Sequence, residues 1–292
     1  MDSKKCRLGI VLFLLPCIVL FLFFFAYPIV SVFVTSFAEW RLGKQITFVG
    51  LDNFRRLLAD ENVIMAAKNT GVWMLMHWFI LTGTALLVAL MTTTKTAFTR
   101  FVKVCYLIPN MIPMAVIGFL AYFIYSPTIG LVNGFVSLLT GEPFVHNWLQ
   151  DQHTAFWTVS STFILYGGVF TLLLSTQIAA ISPEVIESAR LECRNEFQVK
   201  RYIVVPQIKN MLGTVLIMAT VQCLKTFEVI YLTTSGGPRN ITLNLPILIH
   251  RTVINNSNFG YANAISAVTI LIGALCMGVI ALGFRMGQSD AY

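Results

Sequence analysis

Residues 8–38 read LGIVLFLLPCIVLFLFFFAYPIVSVFVTSFA, with no Asp, Glu, Lys or Arg among them. A hydrocarbon core about 30 Å thick needs about 20 apolar residues of helix to cross it, so this stretch is long enough with residues to spare. Lys4, Lys5 and Arg7 precede it, as basic residues precede a secretory signal. The apolar part of a signal, however, is only about 7–15 residues long and closes on a small-residue cleavage site. This stretch is longer, lacks such a site, and reads as a permanent span. Pro16 and Pro28 inside it predict kinks.

The same pattern recurs along the chain. Residues 69–94, 104–141, 152–183 and 252–284 are also free of charge, and 211–232 carries only Lys225 and Glu228. The stretch 104–141 is too long for one crossing; Ser126-Pro127 and Gly130 break it, so 104–125 is the part that crosses. The expected fold is all-α: one polytopic domain over 1–292, with six transmembrane helices at about 8–37, 69–94, 104–125, 154–180, 211–232 and 261–284. Composition agrees. Of the 292 residues 57% are apolar and 11% charged, against about 25% charged in soluble domains. Mean hydropathy is +0.76. There is too little charge to clothe a soluble surface.

Net charge is +7, which in a membrane protein orients the chain rather than pointing to nucleic acid. Lys4, Lys5, Arg7, Lys95, Arg100, Lys103, Arg190, Arg194, Lys200, Arg201, Lys209 and Arg285 fall at one set of span ends and make up most of the 20 basic residues. The positive-inside bias then puts both termini in the cytoplasm. Segments 39–68, 127–153 and 233–260 face the other side. Gly43 and Gly50 predict turns in the first of these, and 51–58 has the apolar spacing of a helix lying at the interface. Cys6, Cys17, Cys105, Cys193, Cys223 and Cys276 show no CxxC spacing and read as small buried hydrophobes, not as a disulfide framework or metal site. His146, His153 and His250 lack metal-ligand spacing. His77, beside Trp73, Trp78 and Phe79, reads as a packed, hydrogen-bonded histidine in preference to a proton relay.

The longest inside segment, 181–210, reads ISPEVIESARLECRNEFQVKRYIVVPQIKN. Ser182 is a candidate N-cap and Pro183 a first-turn proline. Glu184 suits the positive end of that helix. Val185, Ile186, Ala189 and Leu191 alternate with charge as on a short helix lying against protein. A second short helix fits Phe197, Val199, Tyr202 and Ile203, and Pro206 marks entry into the fifth span.

In order and spacing this segment resembles the EAA loop of ABC importer permeases, a cytoplasmic helix-turn-helix between the fourth and fifth membrane helices that docks on an ATPase subunit. The match runs through Glu184, Glu187, Ser188, Ala189, Arg190, Glu192, Cys193, Phe197 and Ile203-Val204-Val205-Pro206. Cys193 stands where the family has a turn glycine, which implies either a left-handed cysteine at about 1 kcal/mol or more or a different turn. Further segments look like the carbohydrate-importing branch, similar to maltose and glycerol-3-phosphate importer permeases. They are 48–54 (FVGLDNF) with Asn69-Thr70, Pro109 and Pro113, 126–133 (SPTIGLVN), 234–238 (TSGGP) and 259–262 (FGYA).

The resemblance implies the rest of a machine in the cell membrane of a prokaryote: a second, homologous permease forming a heterodimer, two ATPase subunits carrying ATP and Mg, an extracytoplasmic solute-binding protein, and a sugar substrate. No G-x-x-x-x-G-K-[ST] occurs here, so an ATP site belongs on another chain, and this chain is read as a transport subunit, not an enzyme. The resemblance also puts a substrate path on spans four and five. The positions that fall there are Thr162, Leu165, Tyr166, Ala219, Gln222, Cys223, Thr226 and Glu228. Lys225 and Glu228, three apart, share a helix face by spacing and can neutralise each other, or both lie near the outer end of the span and meet water or headgroups. Two alternatives stay open: an ion-coupled secondary carrier, which would show paired broken helices and repeats, and an ABC importer for a non-sugar solute.

Overall fold

The computed structural model describes residues 3–92, 96–163 and 166–286, with side chains from Val11 onward. The described elements are α1 (Ser3–Phe21), α2 (Tyr27–Ser36), β1 (Ala38–Glu39), β2 (Thr47–Phe48), α3 (Asp52–Ala59), α4 (Glu61–Met76), α5 (Thr82–Met91), α6 (Ala97–Leu107), α7 (Met114–Ile124), α8 (Leu131–Thr140), α9 (Ala155–Ser161), α10 (Gly168–Ala179), α11 (Pro183–Glu192), α12 (Glu196–Val199), α13 (Val205–Gln207), α14 (Lys209–Lys225), α15 (Glu228–Thr233), α16 (Leu245–Ile254) and α17 (Phe259–Gly283). The all-α expectation needs one amendment: β1 and β2 form a small antiparallel hairpin pairing Ala38 with Phe48, in the stretch read as turns.

Among the described residues, four helices are long and apolar enough to cross a membrane: Val11–Ser36, Glu61–Met91, Lys209–Thr233 and Phe259–Gly283. Two bent pairs bring the number to six if each is one crossing. The first, Ala97–Met111 with Met114–Ile124, turns through 101°, so 104–125 is not one straight helix. Pro113 is the reason. It caps α7 with an extended backbone, φ −57° and ψ 141°, and has no N–H with which to continue the preceding helix. The second pair, Gly168–Ala179 with Pro183–Glu192, turns through 82°. The stretch 154–180 is likewise divided, into α9 and α10. The second span starts earlier than its charge-free run, at Glu61, because a helix end can carry Glu61 and Lys68 in water or headgroups.

Wide π turns explain how the long helices absorb irregularity. Leu22–Ala26 precedes Pro28, and Lys200–Val204 precedes Pro206; each proline removes one i→i−4 bond, and the widened turn lies in the residues left over. At His77–Leu81 the Thr82 hydroxyl donates to the His77 carbonyl at 3.1 Å.

The chain divides into two compact units, one of Met1–Val63 and Ile249–Ile270, the other of Ile64–Leu248 and Leu271–Tyr292. In the first, Asn53 of the FVGLDNF motif donates from Nδ2 to the Ser36 and Ala38 carbonyls, both at 2.9 Å. These carbonyls lie beyond the reach of helical N–H groups, so a side chain collects them. Gly260 of FGYA is glycine because a Cβ there would strike the Ala38 carbonyl. Val11–Ser36 has none of its apolar window buried within the chain, leaving that window for lipid or another subunit, while Ser36 at its end is buried.

In the second unit α5, α10 and α14 share a core of Leu81, Ala85, Ala89, Phe170, Leu174, Ile178, Val215 and Ala219. Ala85 and Ala89 are fully buried, small enough to let α5 and α10 approach closely. Trp73 stacks on Phe156 with ring centroids 4.9 Å apart and donates to Ser160 Oγ at 2.8 Å. His77, 2% exposed, bonds the Trp73 carbonyl through Nδ1 at 2.8 Å; it is packed, as the sequence suggested. Asn69 donates to the Ile241 and Leu243 carbonyls at 2.8 and 2.9 Å, and Thr70 Oγ1 accepts from the Leu245 N–H at 3.2 Å. Asn133 collects the Pro127 and His146 carbonyls. The short motifs that carry the family resemblance are thus mostly joints, where a polar side chain satisfies backbone that leaves a helix.

Candidate functional site

The second unit contains a cavity of about 510 Å³ whose walls come from Asn110, Met114, Tyr166, α10 and the C-terminal part of α14 with the start of α15. That is within the range of small-molecule sites, about 300–1,000 Å³. α14 stops at Lys225 because Thr226 is extended, ψ 107°, and α15 begins at Glu228. Asn244, 1% exposed, donates to the freed Thr226 carbonyl at 2.7 Å while its Oδ1 accepts from the Ile247 N–H at 3.0 Å. One buried amide therefore holds the break open.

Of the residues singled out in the sequence, Tyr166, Gln222, Thr226 and Glu228 line this cavity. Their available chemistry differs from expectation. The Tyr166 hydroxyl donates to the Ile112 carbonyl at 2.9 Å, and Thr226 Oγ1 donates to Gln222 O at 2.9 Å. Neither hydroxyl's proton is free for a solute; Tyr166 offers mainly ring surface. Thr162 likewise spends its hydroxyl on Val159 O at 2.6 Å. Ala219 and Cys223 are buried in packing at 0% and 3% exposure, and Leu165 lies outside the described residues.

Lys225 and Glu228 do not sit on one helix face, since the helix ends between them. The three ion pairs among the described residues are Arg41–Glu39, Arg55–Asp52 and Arg190–Glu196, so the expected neutralisation within the chain is absent. Instead Gln222, Lys225 and Glu228 present an amide, an ammonium and a carboxylate to one apolar-walled cavity. Met114, Met218 and Val221 supply walls that the sequence reading missed; the period 218, 221, 225 on one helix face was the available signal. Asn110 was missed as well. With its amide oriented to satisfy both groups, it donates to Tyr166 O at 3.1 Å and accepts from Gly168 N at 2.8 Å.

A second constellation lies in 181–210. α11 begins at Pro183, but Ser182 makes no side-chain cap bond. Cys193 has φ −87° and ψ 140°, ordinary extended backbone, so the turn differs from one built on glycine and no left-handed strain arises. Asn195 caps α12, its Oδ1 accepting from the Gln198 N–H at 2.9 Å. Arg190 Nε meets Glu196 Oε1 at 2.7 Å across the turn. Ala189 faces inward at 7% exposure, whereas Glu184, Glu187, Ser188 and Glu192 are exposed. Leu191 and Phe197 are exposed at 91% and 73%. Leu191 was not among the predicted contact residues, although a leucine between charges on a short helix was the signal for it.

The comparisons bear on both sites. A family model described as "Binding-protein-dependent transport system inner membrane component" matches residues 82–285. The chain is 27% identical over 285 residues to "Probable ABC transporter permease protein YurN" of Bacillus subtilis, covering 96% of this chain and 97% of that one. It is 26% identical to the "Trehalose/maltose transport system permease protein MalF" of Thermococcus litoralis, covering 92% and 90%. Among solved structures, it matches a chain of a bacterial ABC transporter involved in import of the acidic polysaccharide alginate with a TM-score of 0.84, 21% identity and 97% coverage of both chains, a likeness of fold.

Proposed function

Because this chain belongs to the family of binding-protein-dependent transport system inner membrane components, and is therefore a multi-pass permease subunit of an ABC importer, we propose that it forms half of a heterodimeric path for a sugar or oligosaccharide and transmits ATP hydrolysis from a separate ATPase subunit through 181–210. The sugar class draws on relatives such as the trehalose/maltose permease. It agrees with a cavity of apolar and aromatic wall bearing an amide, an ammonium and a carboxylate, groups that between them donate to and accept from hydroxyls.

The observation that carries the coupling role is the exposure of Leu191 and Phe197, 91% and 73%, within an otherwise charged segment. Large apolar side chains held out beside an ion-paired turn suit burial in a partner's groove. ATP and Mg would sit on that partner, two copies of which serve the two permeases. A solute-binding protein would deliver the sugar from outside, as the related alginate transporter was solved with a periplasmic protein holding alginate pentasaccharide.

The test is co-purification of tagged wild type, Phe197→Glu and Glu187→Lys with ATPase subunits from the native membrane, together with uptake of radiolabelled maltose and trehalose. Both variants should reach the membrane, lose ATPase and lose uptake. Full ATPase retention with normal uptake would sink the coupling role.

A further inference from the structure

The first unit holds a separate cavity of about 390 Å³, lined by Arg41, Arg56, Thr252, Asn256, Asn258 and Tyr261. Nothing in the transport reading uses it. Its position is set by two span ends: Arg41 lies just past Ser36, where Val11–Ser36 stops, and Tyr261 lies in the first turn of Phe259–Gly283. The hairpin brings them together through an antiparallel bridge between Arg41 and Asn258 and a bond from the Gly260 N–H to Trp40 O at 3.1 Å.

The wall is rich in donors. The Arg56 guanidinium lies over the Tyr261 ring, 4.2 Å from its centroid, which orients it without using its N–H groups. Arg41 Nε is buried; it sits 3.1 Å from Glu39 Oε1, at ion-pair distance but without hydrogen-bond alignment. Asn258, 7% exposed, gives its Oδ1 to the Tyr261 N–H at 3.1 Å, leaving its amide nitrogen as a donor. Of the carboxylates nearby, Glu39 is the ion-pair partner of Arg41. Asp60 accepts from the Tyr261 hydroxyl at 2.8 Å and the Asn62 N–H at 2.9 Å, and neither Asp60 nor Glu39 lines the cavity. Around it the unit leaves Leu42, Phe48 and Leu58 exposed at 73%, 82% and 77%, side chains suited to the acyl boundary.

We propose that the cavity bearing Arg41 and Arg56 binds the phosphate of a phospholipid headgroup at the end of the first and last membrane helices. Two guanidiniums and an amide match a tetrahedral, multiply accepting anion. A free phosphate would satisfy the same donors, but the exposed apolar side chains of the same unit favour the lipid.

The transporter, purified from its native membrane in mild detergent with its accompanying subunits, should retain phospholipid detectable by native mass spectrometry. Arg41→Gln combined with Arg56→Gln should lower that occupancy about tenfold or more, the scale of losing charge-assisted bonds. Arg55→Gln is the control for general surface charge: that guanidinium pairs with Asp52 at 3.3 Å, off the cavity, and its loss should leave lipid in place. Equal retention by the wild type and the double variant would overturn the proposal, as would equal loss in the Arg55 control. If inorganic phosphate raises the melting temperature of delipidated wild type and added phospholipid does not, the lipid assignment fails. If the double variant keeps its lipid and instead loses capture of the binding protein, the cavity serves an acidic protein partner and the proposal is wrong.

Discussion

Gly168→Ala probes the wall on which the transport cavity depends. Gly168 opens α10, and a methyl group there would lie 2.7 Å from the Asn110 amide, 2.7 Å from the Tyr106 carbonyl and 3.0 Å from Leu107 Cα. Ordinary contact begins at 3.4 Å, so α6 or α10 would have to retreat by about 0.7 Å, the difference between 3.4 and 2.7. Two of the three atoms are backbone, and the third belongs to an amide already fixed by bonds to Tyr166 O and Gly168 N. Overpacking of this kind costs about 1–3 kcal/mol. Alanine's helix preference returns at most about 1 kcal/mol, and less in a first turn, so the clash wins. The variant should unfold several degrees below wild type in a fluorescence-monitored melt, and uptake should fall because Asn110 and Tyr166 both line the cavity. Gly134→Ala on α8, where a Cβ meets nothing within 4 Å, should melt at or above the wild type. A Gly168→Ala protein that melts and transports normally would refute the tight wall.

Other expectations concern both sites. Asn195→Ala should destabilise the coupling segment by about 1 kcal/mol, whereas Ser182→Ala, with no cap bond to lose, should change little; limited proteolysis of the segment reads the difference. Gln222→Ala and Glu228→Gln should each cut uptake about tenfold or more while expression and ATPase association stay normal, and unchanged uptake in both would move the substrate path elsewhere. Cys193→Gly should leave coupling within about twofold of wild type, since its φ of −87° relieves nothing on becoming glycine; a large gain in activity would mean a left-handed turn forms in the assembled transporter.

The membrane class was legible because charge is so scarce: runs such as 8–38 admit no soluble reading. The helical character of 181–210 was legible because charge and apolar residues recur in a fixed order there, although the expected Ser182 cap bond does not form. What escaped were the interruptions. Hydropathy sees neither the 101° turn at Pro113 nor the end of α14 at Lys225, because both flanks stay apolar. The break after Lys225 mattered most, since a three-residue spacing predicts a shared face only while the helix continues. Tyr166 and Thr226 both line the cavity, but whether a hydroxyl is free depends on carbonyls such as Ile112 O, 54 positions away in sequence. The secondary-carrier alternative gave way to family membership.

Asn244 ties the cavity wall to the start of α16. Its single side chain grips the Thr226 carbonyl at the cavity and the N–H of Ile247 in the first turn of α16, with only 1% of the residue exposed. A rearrangement of the substrate wall at 226–228 must therefore either break two buried bonds or drag the start of α16 along. The amide works as a rivet, making the start of α16 and the cavity wall at Thr226 one moving part.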